Sequence, residues 1–157
     1  MVQLAHATKA LAPRSDVVRN AAWVYAAVLT VMAVAQLFAF EDFVPMMANY
    51  SLPGGHGTAI LFACLIVFTE VFAVPFLLRM PLSQLMRWVG LACSVLAPLM
   101  WVKLAVVGIV GGSTVVNSGL LGTKVTIHAG VLSLIVSIVL LALSMWTAWG
   151  LWPTKNR

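Results

Sequence analysis

Charge is what this sequence has least of: 8% of its 157 residues are Asp, Glu, Lys or Arg, against roughly a quarter in an ordinary soluble domain. That shortage excludes a water-facing globular surface. Carboxylates are scarcest, and Asp16, Glu41, Asp42 and Glu70 are all of them. Cysteine is nearly absent too. Cys64 and Cys93 form no Cys-x-x-Cys pair, which disfavours a thiol oxidoreductase acting alone. Helical rise puts Cys64 about 9 Å below the outer membrane surface and Cys93 about 9 Å above the inner one, too far apart for a disulfide. Both are expected to be buried apolar fillers. His6, His56 and His128 fall in three different environments, so a bis-histidine haem site or a zinc site within the chain is not expected. Phosphate loops and Ser-His-Asp arrangements are missing as well. No cofactor held covalently or by metal ligation is expected.

What is present is apolar: 62% of the residues are hydrophobic. A hydrocarbon core about 30 Å thick takes roughly 20 apolar helical residues to cross. Four such runs occur, over about 20–40, 58–78, 88–111 and 124–149. The sequence therefore predicts an all-α membrane protein, a four-transmembrane-helix bundle forming one domain over 1–157. The run from Asn20 to Phe40 is long enough to span, unlike the shorter apolar region of a cleaved signal peptide. Residues 1–19 are expected to be a loosely ordered lead, interrupted by Pro13.

The net charge of +5 would point to nucleic acid in a soluble protein, but here the cations sit in particular loops. Lys9, Arg14, Arg19, Arg79, Arg87, Lys155 and Arg157 all fall on one side of the predicted spans. The loops on the other side carry Glu41 and Asp42 and no Lys or Arg from 41 to 57, and no charge from 112 to 123. The positive-inside rule then places both termini in the cytoplasm. Trp23, Trp88, Trp149 and Trp152 fall at the same helix ends, where amphipathic rings favour the interface; Trp101 lies mid-span. The expected setting is the cytoplasmic (inner) membrane of a bacterium, with the lipid bilayer and other membrane proteins or further copies of the chain as partners, and no nucleic acid.

The first outer loop, from Glu41 to Gly57, is amphipathic in its first half and is expected to lie along the interface. Pro75 and Pro98 stand inside spans and remove the helical bonds to the carbonyls of Val71 and Ser94. Small residues mark packing faces at helical spacing. They are Ala22, Ala26, Ala33 and Gln36 in the first span; Ala59, Ala63, Glu70 and Ala73 in the second; and Thr126, Gly130, Ser133, Ser137 and Ser144 in the fourth.

Glu70 is the foremost candidate for a functional residue. An ionisable group near mid-span costs on the order of 3 kcal/mol on insertion scales and marks function by default. Its alanine stripe points it into the bundle. A simpler role is a neutral carboxyl whose interhelical hydrogen bond fixes helix register. Lys103 lies roughly 12 Å from the outer end of the third span and Glu70 roughly 18 Å from the outer surface, a gap long side chains can bridge. Pairing with Glu70 and snorkelling to the outer headgroups both remain open for Lys103. Lys124 and His128, four apart, would form a polar patch near the outer surface. His128 lies about 160 to 200° around the helix from the small-residue stripe, which favours interfacial anchoring over a continuous polar ladder.

Short matches spread over residues 20–145 resemble a known family. Tyr50-Ser51-Leu52-Pro53 looks like a tyrosine-to-proline segment in the first outer loop. Glu70 then occupies the place of a carboxylate in the following span, and Gln36 sits where many members carry a basic residue. Asn117-Ser118-Gly119-Leu120-Leu121-Gly122 resembles a Cys-Gly-Cys-Phe-Gly motif, with Ser118 and Leu120 at the cysteine positions. The pattern resembles the DoxX-like family, most closely its MauE-type branch of redox-associated four-helix membrane proteins. The resemblance implies association with a quinone-linked or otherwise redox-active complex, or help in maturing a periplasmic redox enzyme. With both motif cysteines replaced, thiol exchange at that turn is not open to this chain.

The leading functional expectation is thus an accessory or structural subunit of a redox-associated membrane complex, binding partner helices or a quinone-like lipid and without catalysis of its own. The alternative is a small proton-coupled carrier acting as a dimer, since protonation of one membrane carboxylate can compete with a cationic substrate.

Overall fold

The computed structural model describes residues 6–8, 10, 12–50, 54–110, 117–127 and 130–152. It contains five helices: α1 (Asp16–Phe38), α2 (Phe40–Ala48), α3 (Gly55–Leu77), α4 (Gln84–Val110) and α5 (Val131–Leu151). Four of them, α1, α3, α4 and α5, are long and apolar enough to cross a bilayer. At 1.5 Å per residue each measures about 30 to 40 Å. The chain is an integral membrane protein with a four-helix transmembrane bundle. Among the described residues there is no strand, only an isolated bridge between Thr8 and Leu82.

α1 begins at Asp16, earlier than expected, because Ser15 caps it. The Ser15 backbone is extended and its hydroxyl accepts from the Val18 amide at 3.3 Å. Capping adds a turn that hydrophobic periodicity does not mark. α2 occupies the first half of the outer loop. Glu41 and Asp42 lie in its first turn, where carboxylates favour a helix N-terminus. Its apolar face packs inward, where Phe43 and Met47 are fully buried, so α2 is part of the core. The fourth span starts at Val131 and not near 124: residues 124–127 are not helical and continue the turns that begin at 117. Thr126 is accordingly exposed and outside any helix.

The spanning helices close a ring in which α1 packs on α3, α3 on α4, α4 on α5 and α5 back on α1, with α2 against α3. The small-residue faces lie inward. Ala22, Ala26, Ala33 and Gln36 of α1, Ala59, Ala63, Glu70 and Ala73 of α3, and Ser133, Ser137 and Ser144 of α5 are all buried. Large apolar side chains such as Val31, Leu61, Ile138 and Val139 are exposed on the outside. That inversion suits lipid, where apolar contact with solvent costs nothing and packing decides which helix faces meet. Cys93 is the buried filler expected, whereas Cys64 is exposed.

The starts of α1 and α4 and the ends of α3 and α5 gather at one pole. Arg14 donates its amide to the Gly150 carbonyl at 3.2 Å and stacks its guanidinium 4.0 Å over the Trp149 ring. Trp88 and Trp152 pack there with ring centroids 4.3 Å apart. Among the described residues of the lead, Thr8 is held by hydrogen bonds. Thr8 donates its amide to Leu82 at 3.1 Å, and Arg87 Nη2 donates to the carbonyl and hydroxyl oxygens of Thr8.

Candidate functional site

Three helices converge on the Glu70 carboxyl, which is completely buried. Trp101 of α4 donates its indole Nε1–H to Glu70 Oε1 at 2.9 Å. Gln36, in the last turn of α1, donates its Nε2–H to the same oxygen at 3.3 Å. Glu70 Oε2 and Gln36 Oε1 are buried without a hydrogen-bond partner among the described residues. Phe43 of α2 packs against the Trp101 indole, with centroids 6.4 Å apart and planes tilted by 50°. The centre therefore joins α1, α3 and α4, with α2 closing one side.

Periodicity in the sequence places Glu70 and Gln36 on inward faces, and the structure brings them together. The partner missed was Trp101. A mid-span tryptophan needs an acceptor for its N–H when buried, and a carboxylate on the antiparallel neighbour was the acceptor at hand. Lys103 does not pair with Glu70. Its side chain is exposed, and its ammonium sits 5.3 Å from the centroid of the Phe62 ring. Lys103 projects from the outer face of α4, two residues beyond the inward-facing Trp101, which is a turn of about 200°. Lys124 is not helical and makes a long, exposed contact with Asp42 at 3.9 Å. His128 and Pro53 lie outside the described residues.

The remaining residues of the family-like pattern form a second cluster, a cap over the α2 end of the bundle. Asn117 is its hub: the carboxamide oxygen accepts from the amides of Gly119 at 3.1 Å and Ile127 at 3.3 Å, and the nitrogen donates to the carbonyls of Gly122 and Thr123, each at 3.3 Å. Ser118 donates its amide to the Ile127 carbonyl at 2.7 Å. Tyr50 donates its phenolic hydroxyl to the Ser118 carbonyl at 3.1 Å, which ties the end of the first outer loop to this turn. Gly122 has a φ of +70°, and a Cβ there would stand 2.6 Å from the Ala35 carbonyl oxygen. Ser118 is wholly buried and its hydroxyl has no partner among the described residues.

Among the described residues no three His, Cys, Asp or Glu side chains gather as a metal site would require. The chemistry on offer is hydrogen bonding around one interior carboxyl. Comparison of the chain with protein-family models, curated proteins and solved structures yields no match.

Proposed function

We propose that this chain is an accessory subunit of a redox-associated membrane complex. In this reading the Glu70 centre engages a quinone-like lipid or a partner helix, while another polypeptide carries the cofactor. One observation carries it. Glu70 spends a single oxygen on both of its donors and leaves Oε2 open in a fully buried site, beside the equally open Gln36 Oε1. An unsatisfied buried polar atom costs about 1–3 kcal/mol. A carboxyl that served only helix register would be expected to use both oxygens.

Oε2 suits a donor supplied from outside the chain, such as the hydroxyl of a quinol head or a polar side chain of a partner helix. Phe43 and Trp101, which pack against each other at this centre, are of a chemistry suited to contact with a flat ring. The resemblance to the DoxX-like family supports the redox association. The cation distribution supports an inner-membrane setting with cytoplasmic termini.

The test is mild affinity purification of the tagged chain from its native membrane, followed by an optical spectrum and mass spectrometry of what stays bound. Stoichiometric redox subunits with haem, flavin or quinone are expected, and Glu70→Gln should weaken their retention or the turnover of the complex. Should Glu70→Gln leave both untouched, the role given to Glu70 is wrong. A colourless preparation of the chain alone would overturn the accessory reading and direct attention to proton-coupled transport, measured as proton flux in proteoliposomes across a panel of cations.

A further inference from the structure

A cavity of about 440 Å³ opens at the pole where α1 and α4 begin and α3 and α5 end. It is separate from the Glu70 centre and shares no residue with it. Its volume falls within the range of roughly 300–1,000 Å³ usual for small-molecule sites. The wall is divided by chemistry. Phe76, Leu82, Trp88 and Trp152 supply apolar surface, Arg79 and Arg87 supply two guanidinium groups, and neither Asp nor Glu contributes to the lining. Arg87 spends Nη2 on Thr8, and its Nε is buried without a hydrogen-bond partner among the described residues.

We propose that this cavity binds the headgroup of an anionic phospholipid, its phosphate set against Arg87 and Arg79 and its upper acyl carbons against Trp88, Trp152, Phe76 and Leu82. A guanidinium offers planar, paired donors that match phosphate oxygens. Basic pockets between spanning helices are built for acidic lipid heads, and tryptophans hold the depth of the headgroup layer. A free phosphate ion would leave the apolar wall uncovered. A zwitterionic head would bring its own cation towards two guanidiniums.

The full chain, delipidated in neutral detergent, can be titrated with phosphatidylglycerol, phosphatidylcholine and inorganic phosphate and read by native mass spectrometry. One phosphatidylglycerol per chain is expected, with weaker retention of phosphatidylcholine. Arg87→Gln should weaken phosphatidylglycerol binding about fivefold or more, the effect of removing one near-surface cation. Arg87→Gln also gives up the contact with Thr8, so Gln84→Glu serves as a second variant. Gln84 lines the cavity, is exposed and opens α4, where a carboxylate favours the helix N-terminus; its added charge should weaken binding in the same direction. Equal binding of both lipids overturns the proposal, as does phosphatidylglycerol binding that is unchanged in Gln84→Glu. Inorganic phosphate binding as tightly as phosphatidylglycerol would assign the site to a free anion and overturn the lipid.

Discussion

Pro98 leaves the carbonyl of Ser94, one turn earlier in α4, without its helical amide, and two other helices take up that oxygen. Tyr25 of α1 donates its phenolic hydroxyl and Ser144 of α5 donates its Oγ–H, each at 2.7 Å. The backbone break imposed by proline thereby becomes a junction of three spanning helices. A carbonyl oxygen has two acceptor positions, and both are filled.

Tyr25→Phe and Ser144→Ala should each cost about 1 kcal/mol, because one donor remains on the oxygen. The double variant should cost more than the sum, since it strands a buried carbonyl. Pro98→Ala in that background should recover part of the loss by restoring the helical N–H. Thermal unfolding in mild detergent measures all four proteins, and strict additivity with no recovery would refute the junction.

Glu70 draws its support from Trp101 and not from Lys103. Trp101→Phe keeps a ring but removes the donor, and should destabilise the bundle by about 1–3 kcal/mol. Lys103→Gln should stay within about 0.5 kcal/mol of the parent, as exposed positions usually do. Breaking a buried ion pair would instead cost about 3–5 kcal/mol. A Lys103→Gln protein as damaged as Trp101→Phe would contradict the geometry.

The cap depends on Gly122, where both φ and the Ala35 carbonyl oppose a side chain. Gly122→Ala should cost about 1–3 kcal/mol through overpacking and strain. Gly57, in the first turn of α3, has open space where a Cβ would go. Gly57→Ala should be neutral or stabilising by up to about 1 kcal/mol through helix propensity. Melting temperatures that move together in the two variants would argue against a close-packed cap.

Burial pushes the Tyr50 phenol from its ordinary 10.0 up to about 12. A raised folded-state value means the fold favours the protonated form. This contribution is therefore complete below about pH 10 and is lost as pH climbs from there through about 12. Parent protein should melt above Tyr50→Phe at pH 9, and the difference should shrink as pH approaches 12. Comparing the two proteins cancels the titration of the lysines. A gap that stays constant to pH 12 would mean that the phenol is not held in the cap.

Parts of the site were legible in the sequence because a helix repeats its faces. Gln36 and Glu70 share stripes with alanines, so their inward direction followed from spacing alone. Trp101 was harder to read, since tryptophan is ordinarily an interface residue and its spacing does not say which helix it faces. Asn117 is visible in the sequence only as the first residue of the family-like motif. Its role as a hub depends on the amide of Ile127, ten residues on, and no local pattern encodes that return.

Composition and spacing are enough to place this protein in a bilayer, to count its crossings and to say which faces of its helices turn inward. Hydrophobic run length and helical periodicity are properties of each segment alone, and lipid enforces helix wherever an apolar run must hide its backbone. The tertiary structure decided which polar groups meet: Glu70 with Trp101 instead of Lys103, the Ser94 carbonyl with Tyr25 and Ser144, and Tyr50 with Ser118. It also decided that residues 124–127 belong to a cap where periodicity would begin the last helix. The physical reason is that polar groups in a dry interior are satisfied by whatever neighbour packing brings within about 3 Å. Helix rotation and register set that neighbour, and neither is written in one segment's spacing.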